Sequence, residues 1–436
     1  MRFSGFDDEW KSFKLSEISK RITRKNKSLE TDRPLTISAQ YGLVDQIEYF
    51  NKIVASKSLK GYYLLNKGEF AYNKSYSNGY PFGAVKRLDD YENGAISTLY
   101  ICFNTNDKMN SDLLKEYFET DKWHEEIYKI AVEGARNHGL LNVAVGDFFN
   151  TKHVLPTNNH EQEKIAKFLI EINTKIDLLE NKHKAYQDFK KYLMQKIFAQ
   201  ELRFDFDEDW YIDKIGNNSE VFGRIGFRGY TVDDLVDKGQ GALTIGGKHI
   251  SKNFQLDLSD PEYLSWEKYE ESPEIKIYNG DVLLVKTASV GKVCFIENLN
   301  EPATLNPQLI VFKNIKLNNK FFYYYLTSNL FQKDIHKIKS TTGIPTITQK
   351  ELLNLNIIYP SLEEQEKIVN FLSIVDKKIS SIDKNLKDIK KFKKGLLQQM
   401  FVVRINWRCN FKLAKSPSFN KHLLILKNKI IFIIIK

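Results

Sequence analysis

The sequence predicts an α+β protein written twice: two pseudo-symmetric α+β domains separated by two long helices packed as an antiparallel coiled coil. Three observations carry this expectation: one long segment recurs, each copy holds a heptad seam, and short β-rich runs precede each seam. Glu161-Gln162-Glu163-Lys164-Ile165 returns as Glu364-Gln365-Glu366-Lys367-Ile368, a shift of 203 residues in a chain of 436. At that shift Phe168-Leu169 falls on Phe371-Leu372, Lys175-Ile176 on Lys378-Ile379 and Phe189-Lys190-Lys191 on Phe392-Lys393-Lys394. Leu193 then falls on Leu396 and Phe198 on Phe401, with no gap.

Upstream the register drifts. Arg2-Phe3, Phe6 and Trp10 correspond to Arg203-Phe204, Phe206 and Trp210, while Lys67–Ser75 resembles Asn279–Thr287 at a shift of 212. By Pro156 and Pro360 the shift is 204, so the ends of each copy are held while the interior gains and loses loop residues.

Each recurring segment reads as a long helix. Ile165, Leu169, Ile172, Ile176, Leu179, Tyr186, Leu193 and Ile197 follow steps of three and four, with His183 and Lys190 interrupting the seam. The second copy gives Ile368, Leu372, Val375, Ile379, Ile382, Leu386, Ile389, Leu396 and Met400, interrupted by Lys393. Asn158 with Glu161, and Ser361 with Glu364, match a capping box. Two helices that share one seam pack most simply on each other, and the antiparallel arrangement relates the halves by a pseudo-twofold. The preceding segments hold β-rich runs such as Ala95–Phe103, Asp281–Lys286 and Leu309–Phe312 between turn residues, with short helices at Asp112–Phe118 and Lys320–Ser328.

Composition narrows the function. The formal charge is +10, but residues 402–436 supply eight Lys/Arg and no acid, leaving only +2 for the rest. Bulk charge therefore does not decide whether the body binds a polyanion. Cys102, Cys294 and Cys409 are too few and scattered for a disulfide framework or a zinc site, and a reducing cytoplasmic setting follows. No export signal is read at the acidic N-terminus. The apolar run Ile430–Ile435 is far short of the ~20 residues that span a bilayer, so no membrane is expected.

The search for catalytic chemistry returns near misses. Asn306-Pro307-Gln308-Leu309 lacks the second proline and the aromatic of an amino-methyltransferase motif, and reads as a turn into a strand. Residues 241–249 carry an extra glycine before Lys248 and no hydroxyl after it, so they read as a glycine-rich loop rather than a P-loop; Lys248 could still meet a DNA phosphate. Pro273-Glu274-Ile275-Lys276 and Asp281–Lys286 fit a nuclease's carboxylates and lysine only loosely. No catalytic or metal-ligating residue is assigned, and the chain is expected not to be an enzyme.

Polar loops remain. Lys74, Ser75 and Tyr76 form one, and Arg136, Asn137 and His138 another. In the second copy, Lys286, Thr287 and Ser289 form a third and Lys339, Thr341 and Thr342 a fourth, with Lys248 nearby in the chain. Arg and Lys suit guanine, Asn suits adenine and small hydroxyls suit phosphates, so these are the candidate DNA-binding residues.

The repeat of variable domain plus Glu-Gln-Glu-Lys-Ile helix resembles the specificity subunit of type I restriction–modification systems, over residues 1 to about 402. The opening Arg2-Phe3-Ser4-Gly5-Phe6 with Trp10, the string Lys191–Phe198 with its copy Lys394–Phe401, and Gly134–Gly139 followed by Leu140-Leu141-Asn142 are similar to segments of that family. The resemblance implies a non-catalytic reader of double-stranded DNA, one half of a split asymmetric site per domain. It implies target recognition domains at 1–157 and 203–360, conserved helical spacers at 158–202 and 361–402, and a basic, Ile-rich tail at 403–436 without an assigned role. Two modification subunits would dock on the helices, whose candidate residues are Glu161, Gln162, Ile165, Leu169, Phe189, Glu364, Gln365, Ile368, Leu372 and Phe392. Two ATP-driven restriction subunits would cleave. No cofactor is expected on this chain; S-adenosylmethionine, ATP and magnesium belong to the partners.

The family usually stops soon after the position of Phe401, and a frame-shifted or read-through end is favoured here over an appended DNA- or membrane-binding tail. Removing residues 403–436 should then leave complex assembly and DNA affinity unchanged. The competing functions are a self-contained type IIB/IIG-like methyltransferase–nuclease component and a protein-only helical scaffold.

Overall fold

The computed structural model describes residues 2–52, 54–56, 58–76, 79–131, 141–224, 226–340 and 343–401. The chain forms two compact units, one built from Met1–Glu171 with the segment from Phe392, the other from Ile172–Lys391.

The first unit runs β1 (Lys11–Lys14), α1 (Leu15–Ile18), β2 (Ser19–Ile22), β3 (Pro34–Ser38), β4 (Gly42–Asp45) and α2 (Gln46–Phe50). It continues through β5 (Tyr63–Asn66), β6 (Phe70–Asn73), β7 (Ala84–Arg87), β8 (Asn93–Ile96), β9 (Ile101–Thr105), α3 (Ser111–Phe118), α4 (His124–Ile130), α5 (Val145–Asn150) and β10 (Lys152–Leu155). One helix, α6 (Asn159–Phe198), follows. The strands build sheets in the orders β2-β9-β6-β7 and β4-β3-β8-β5, plus a ribbon β1-β10.

The second copy opens with β11 (Tyr211–Lys214), α7 (Ile215–Asn218), β12 (Glu220–Phe222), β13 (Leu235–Val236), β14 (Gly241–Ile245), β15 (Glu262–Ser265) and α8 (Trp266–Glu270). Then come β16 (Val282–Val285), β17 (Val293–Phe295), β18 (Ala303–Leu305), β19 (Leu309–Lys313), α9 (Asn319–Thr327), α10 (Asn329–Ile338), α11 (Gln349–Leu353), β20 (Asn356–Tyr359) and α12 (Leu362–Met400). Its sheets are β12-β19-β16-β17 and β13-β15-β14-β18, with the ribbon β11-β20. The first sheet and the ribbon therefore repeat strand for strand. The other sheet keeps its parallel pair, β3 with β8 and β14 with β18. Its fourth strand changes edge: β5 joins β8 in one copy, β13 joins β15 in the other.

The burial explains the composition of these strands. Val282-Leu283-Leu284-Val285 is fully buried because β16 is covered on both faces. Val282 and Leu284 enter a core with α9 and the long helices, while Leu283 and Val285 enter one with Leu243, Ile245 and Leu305. Gly241–Ile245, read from sequence as part of a loop, is instead the buried strand β14, and only Gly246-Gly247 break the run. The β-rich run at 95–103 resolves into β8 and β9 with a turn between them.

Within the second unit the helices are antiparallel, as expected: Lys190 pairs with Asp376 at 2.7 Å, while Glu180, earlier in α6, pairs with Lys390 at 2.6 Å. The lysines that interrupt the seams have partners. Lys190 also lies 5.2 Å from the Tyr324 ring, whose hydroxyl donates to Asp376 at 2.7 Å. In the first unit Lys393 reaches the buried carboxylate of Glu116 on α3 at 3.2 Å.

Each unit also closes on the end of the helix that does not follow its own domain. Phe401 packs 6.0 Å from Trp10 and 5.4 Å from Tyr117. Phe198 packs 6.3 Å from Trp210 and 5.7 Å from Tyr325 in the same way.

Behind Tyr117 lies His153, almost fully buried. The Thr151 hydroxyl donates to the Phe148 carbonyl at 2.6 Å, so His153 Nε2–H donates to Thr151 at 2.8 Å and Nδ1 accepts from Tyr117 at 3.1 Å. Burial pushes this imidazole down from its ordinary 6.5 to about 4. The unfolded chain takes up the proton before the folded one, so stability falls as the pH drops from about 6.5 towards 4, by roughly 3 kcal/mol in all. Urea unfolding of the wild type and His153→Gln across that window should give a sloping and a flatter profile respectively.

Candidate nucleic-acid interface

The strand pairing brings Lys74 and Lys286 to the same place in the two copies, just past β6 and β16. The backbone carbonyl of each accepts a hydrogen bond from a distant segment: Leu141 N–H at Lys74 (2.9 Å) and Ile347 N–H at Lys286 (3.0 Å). A shift of 212 residues in sequence thus corresponds to one shared structural position.

In the second unit several loops meet there. Thr287 pairs with Thr346, their hydroxyls 3.2 Å apart, and Ala288, at φ +66°, donates its N–H to the Pro345 carbonyl at 2.8 Å. Lys292 Nζ donates to the Ile250 carbonyl at 2.8 Å and so ties down the Gly246–Ile250 turn. The Lys286 N–H donates to the Gln308 carbonyl at 2.8 Å, bringing in the turn before β19. Lys286 itself is half-buried, its ammonium lies within ion-pair distance of no acid among the described residues, and burial pushes its pKa down. Ser289 is exposed beside it, and Lys339 ends α10.

Lys248 stands apart from this group in its electrostatics. It is held between Asp260 (2.8 Å) and Glu262 (2.9 Å), which raise its pKa and neutralise it locally. The loosely nuclease-like acids are dispersed among bases as well, Glu274 with Arg228 and Asp281 with Lys313. Among the described residues no group of three or more His, Cys, Asp or Glu is placed to hold a metal ion. Nor is any described helix long and apolar enough to cross a membrane.

In the first unit Lys74 Nζ donates to the Val143 carbonyl at 3.4 Å, Ser75 N–H donates to Asn73 Oδ1 at 3.0 Å, and Tyr76 is exposed. Arg136, Asn137 and His138, with Thr341 and Thr342 of the second copy, lie outside the described residues.

The helical residues have a different employment. Asn158 Oδ1 caps α6 through the N–H groups of His160 and Glu161. The Glu161 carboxylate does not complete the capping box, because Arg2 takes it bidentately at 2.6 and 2.7 Å, with Trp10 Nε1 donating at 3.3 Å. Glu364 is taken likewise by Arg203 at 3.1 and 2.7 Å. Gln162 accepts from the Asn110 N–H at the start of α3 (2.8 Å) and donates to the Pro156 carbonyl (2.9 Å). Gln365 repeats this with Asn318 at the start of α9 and Pro360, both at 2.9 Å. All four of these Glu and Gln side chains are buried, as are Ile165, Leu169, Ile368 and Leu372; Phe189 is exposed and Phe392 partly so. The repeated Glu-Gln pair therefore locks each helix start to its own domain. Sequence reasoning paired Arg2 with Arg203 but missed their role, since each bonded partner lies about 160 positions away.

Arg203→Ala should leave the Glu364 carboxylate, 1% exposed, without its guanidinium. We expect a loss of about 3 kcal/mol, read by calorimetry as a fall of roughly 6–12 °C in the melting of the second unit.

One α+β domain, duplicated and locked by the same bonds to a long helix in each copy, defines a two-domain protein with loops at matching strand ends. The family model of the type I restriction modification DNA specificity domain matches residues 250–391. The MjaVIII type I restriction enzyme specificity subunit of Methanocaldococcus jannaschii is 24% identical over 417 residues, covering 91% of this chain and 93% of that one. Among solved structures, the S subunit of a type I restriction–modification system from M. genitalium superposes with a TM-score of 0.57 at 16% identity, over 92% of this chain and all of that one. A chain from work on assembly and conformational transition of the type I R-M system gives 0.53 at 18% identity, over 91% and 98%. Over about nine-tenths of its length this chain is thus similar to a specificity subunit of a type I restriction enzyme, and residues 250–391 match the DNA specificity domain of such systems.

Proposed function

We propose that this chain reads a bipartite, asymmetric DNA sequence, one half-site per domain, for a type I restriction–modification complex. Modification subunits bound to it methylate adenine within the site, and restriction subunits cleave the DNA; two of each complete the assembly. S-adenosylmethionine, ATP and magnesium act on those partners. The observation that carries the reading is the duplicated topology with diverged loops: Lys74 and Lys286 end equivalent strands, yet the loops around them differ in length and side chains. Two like frames with unlike loops suit two unlike half-sites. The relative from M. jannaschii, named a specificity subunit over nearly its whole length, supports it.

The test is co-expression with a modification subunit, followed by mapping of methyladenine across a host genome. A bipartite motif with a fixed gap is the expected result. Methylation by the purified chain alone would favour a self-contained type IIB/IIG-like enzyme, and no sequence-specific mark or DNA binding would leave a scaffold.

A further inference from the structure

The turn Asn306-Pro307-Gln308, between β18 and β19, lacks the full methyltransferase motif, yet it enters the loop cluster beside Lys286. Its two amides are tied together: Gln308 N–H donates to Asn306 Oδ1 at 3.0 Å, and Asn306 Nδ2 donates to Gln308 Oε1 at 3.4 Å. Beneath them lie two buried glycines. A Cβ at Gly246 would stand 2.6 Å from Asn306 Nδ2, and one at Gly247 would stand 3.1 Å from Gln308 Oε1. The glycine backbone is itself fixed, since Gly246 N–H donates to His249 Nδ1 at 2.9 Å and Lys292 bonds the turn from the far side.

Gln308 is thus an exposed side chain with an imposed orientation. Its Nε2 has no hydrogen-bond partner among the described residues, and its Oε1 keeps one lone pair beyond the bond from Asn306. An outward donor and acceptor side by side match the N7 acceptor and N6 donor of adenine in the major groove. Guanine offers two acceptors there, so Oε1 would face O6 unfavourably.

We infer that Gln308 reads an adenine of the second half-site, positioned by Asn306 and by the space that Gly246 and Gly247 leave open. This rests on the DNA-reading function proposed above.

The experiment compares methyladenine maps for the full chain with its modification subunit, as wild type, Gln308→Ala, Gln308→Glu and Gly247→Ala. The alanine variants should relax one and the same adenine position, with methylation of sites carrying another base there rising about ten- to hundredfold relative to wild type. Gln308→Glu should move the preference towards cytosine, whose N4 donates to a carboxylate. The other half-site should not change in any of them. A wild-type motif in both Gln308 variants overturns the assignment, as does relaxation of both half-sites together. Complete loss of methylation by both Gln308 variants, in complexes that assemble and melt as wild type, also overturns it. A wild type that yields no bipartite motif instead overturns the DNA-reading function itself.

Discussion

Lys286→Ala should weaken binding of the assembled complex to its bipartite duplex by roughly ten- to a hundredfold, the size of one lost charge-assisted contact. The ammonium is already half-stripped of water and has no acid within ion-pair distance among the described residues. An incoming phosphate or guanine edge therefore meets a cation that has completed part of its desolvation on folding. Lys248→Ala is the control: its charge is already spent on Asp260 and Glu262, and affinity should change less than about threefold. Fluorescence anisotropy with the second half-site scrambled should remove the difference between wild type and Lys286→Ala. Lys74→Ala should show the reciprocal pattern with the first half-site. Equal loss on both scrambled duplexes would contradict one domain per half-site.

A second large effect is expected from the helices. Seven residues inserted into both α6 and α12 lengthen each by about 10 Å, close to the rise of three base pairs. The insertion points follow from the compact units, which divide between Glu171 and Ile172 in α6 and between Lys391 and Phe392 in α12. A heptad at each keeps the seam in phase and preserves the contacts within each unit. Insertion after Lys182 would keep the phase but break contacts within the second unit, because His183 and Gln187 line a small pocket with Asn253, Gln255 and Asp383 there. Methyladenine mapping of the paired insertion should give both half-sites unchanged and a gap longer by about three base pairs. An unchanged gap would mean that the helices do not set it.

The helices and the doubling were legible because both are periodic signals, one of three and four residues, the other of 203. Lys190 and Lys393 were legible only as interruptions: their partners, Asp376 and Glu116, are brought to them by tertiary packing. The Glu-Gln pairs were recognised as a repeated motif, but whether a repeated polar pair faces outward or inward has no local signature. Lys248 and Lys286 look equivalent in sequence, both lysines beside glycines or hydroxyls. Only the fold separates them, by placing two carboxylates on one and none of the described acids on the other. Strand β14 was misread because Gly241, Gly246 and Gly247 outweighed the four buried residues 242–245 between them.

The contact of Phe401 with Trp10 has a consequence for the gene. Ten codons, from Phe392 to Phe401, contribute to the first unit although nearly four hundred precede them. A stop codon just before this stretch would spare the contiguous second unit and instead open the first, removing the Phe401 ring from Trp10 and Tyr117 and Lys393 from Glu116. A reading frame lost after Phe401 would leave all of those contacts in place. For this protein, damage at the 3′ end of the message is felt at the beginning of the chain.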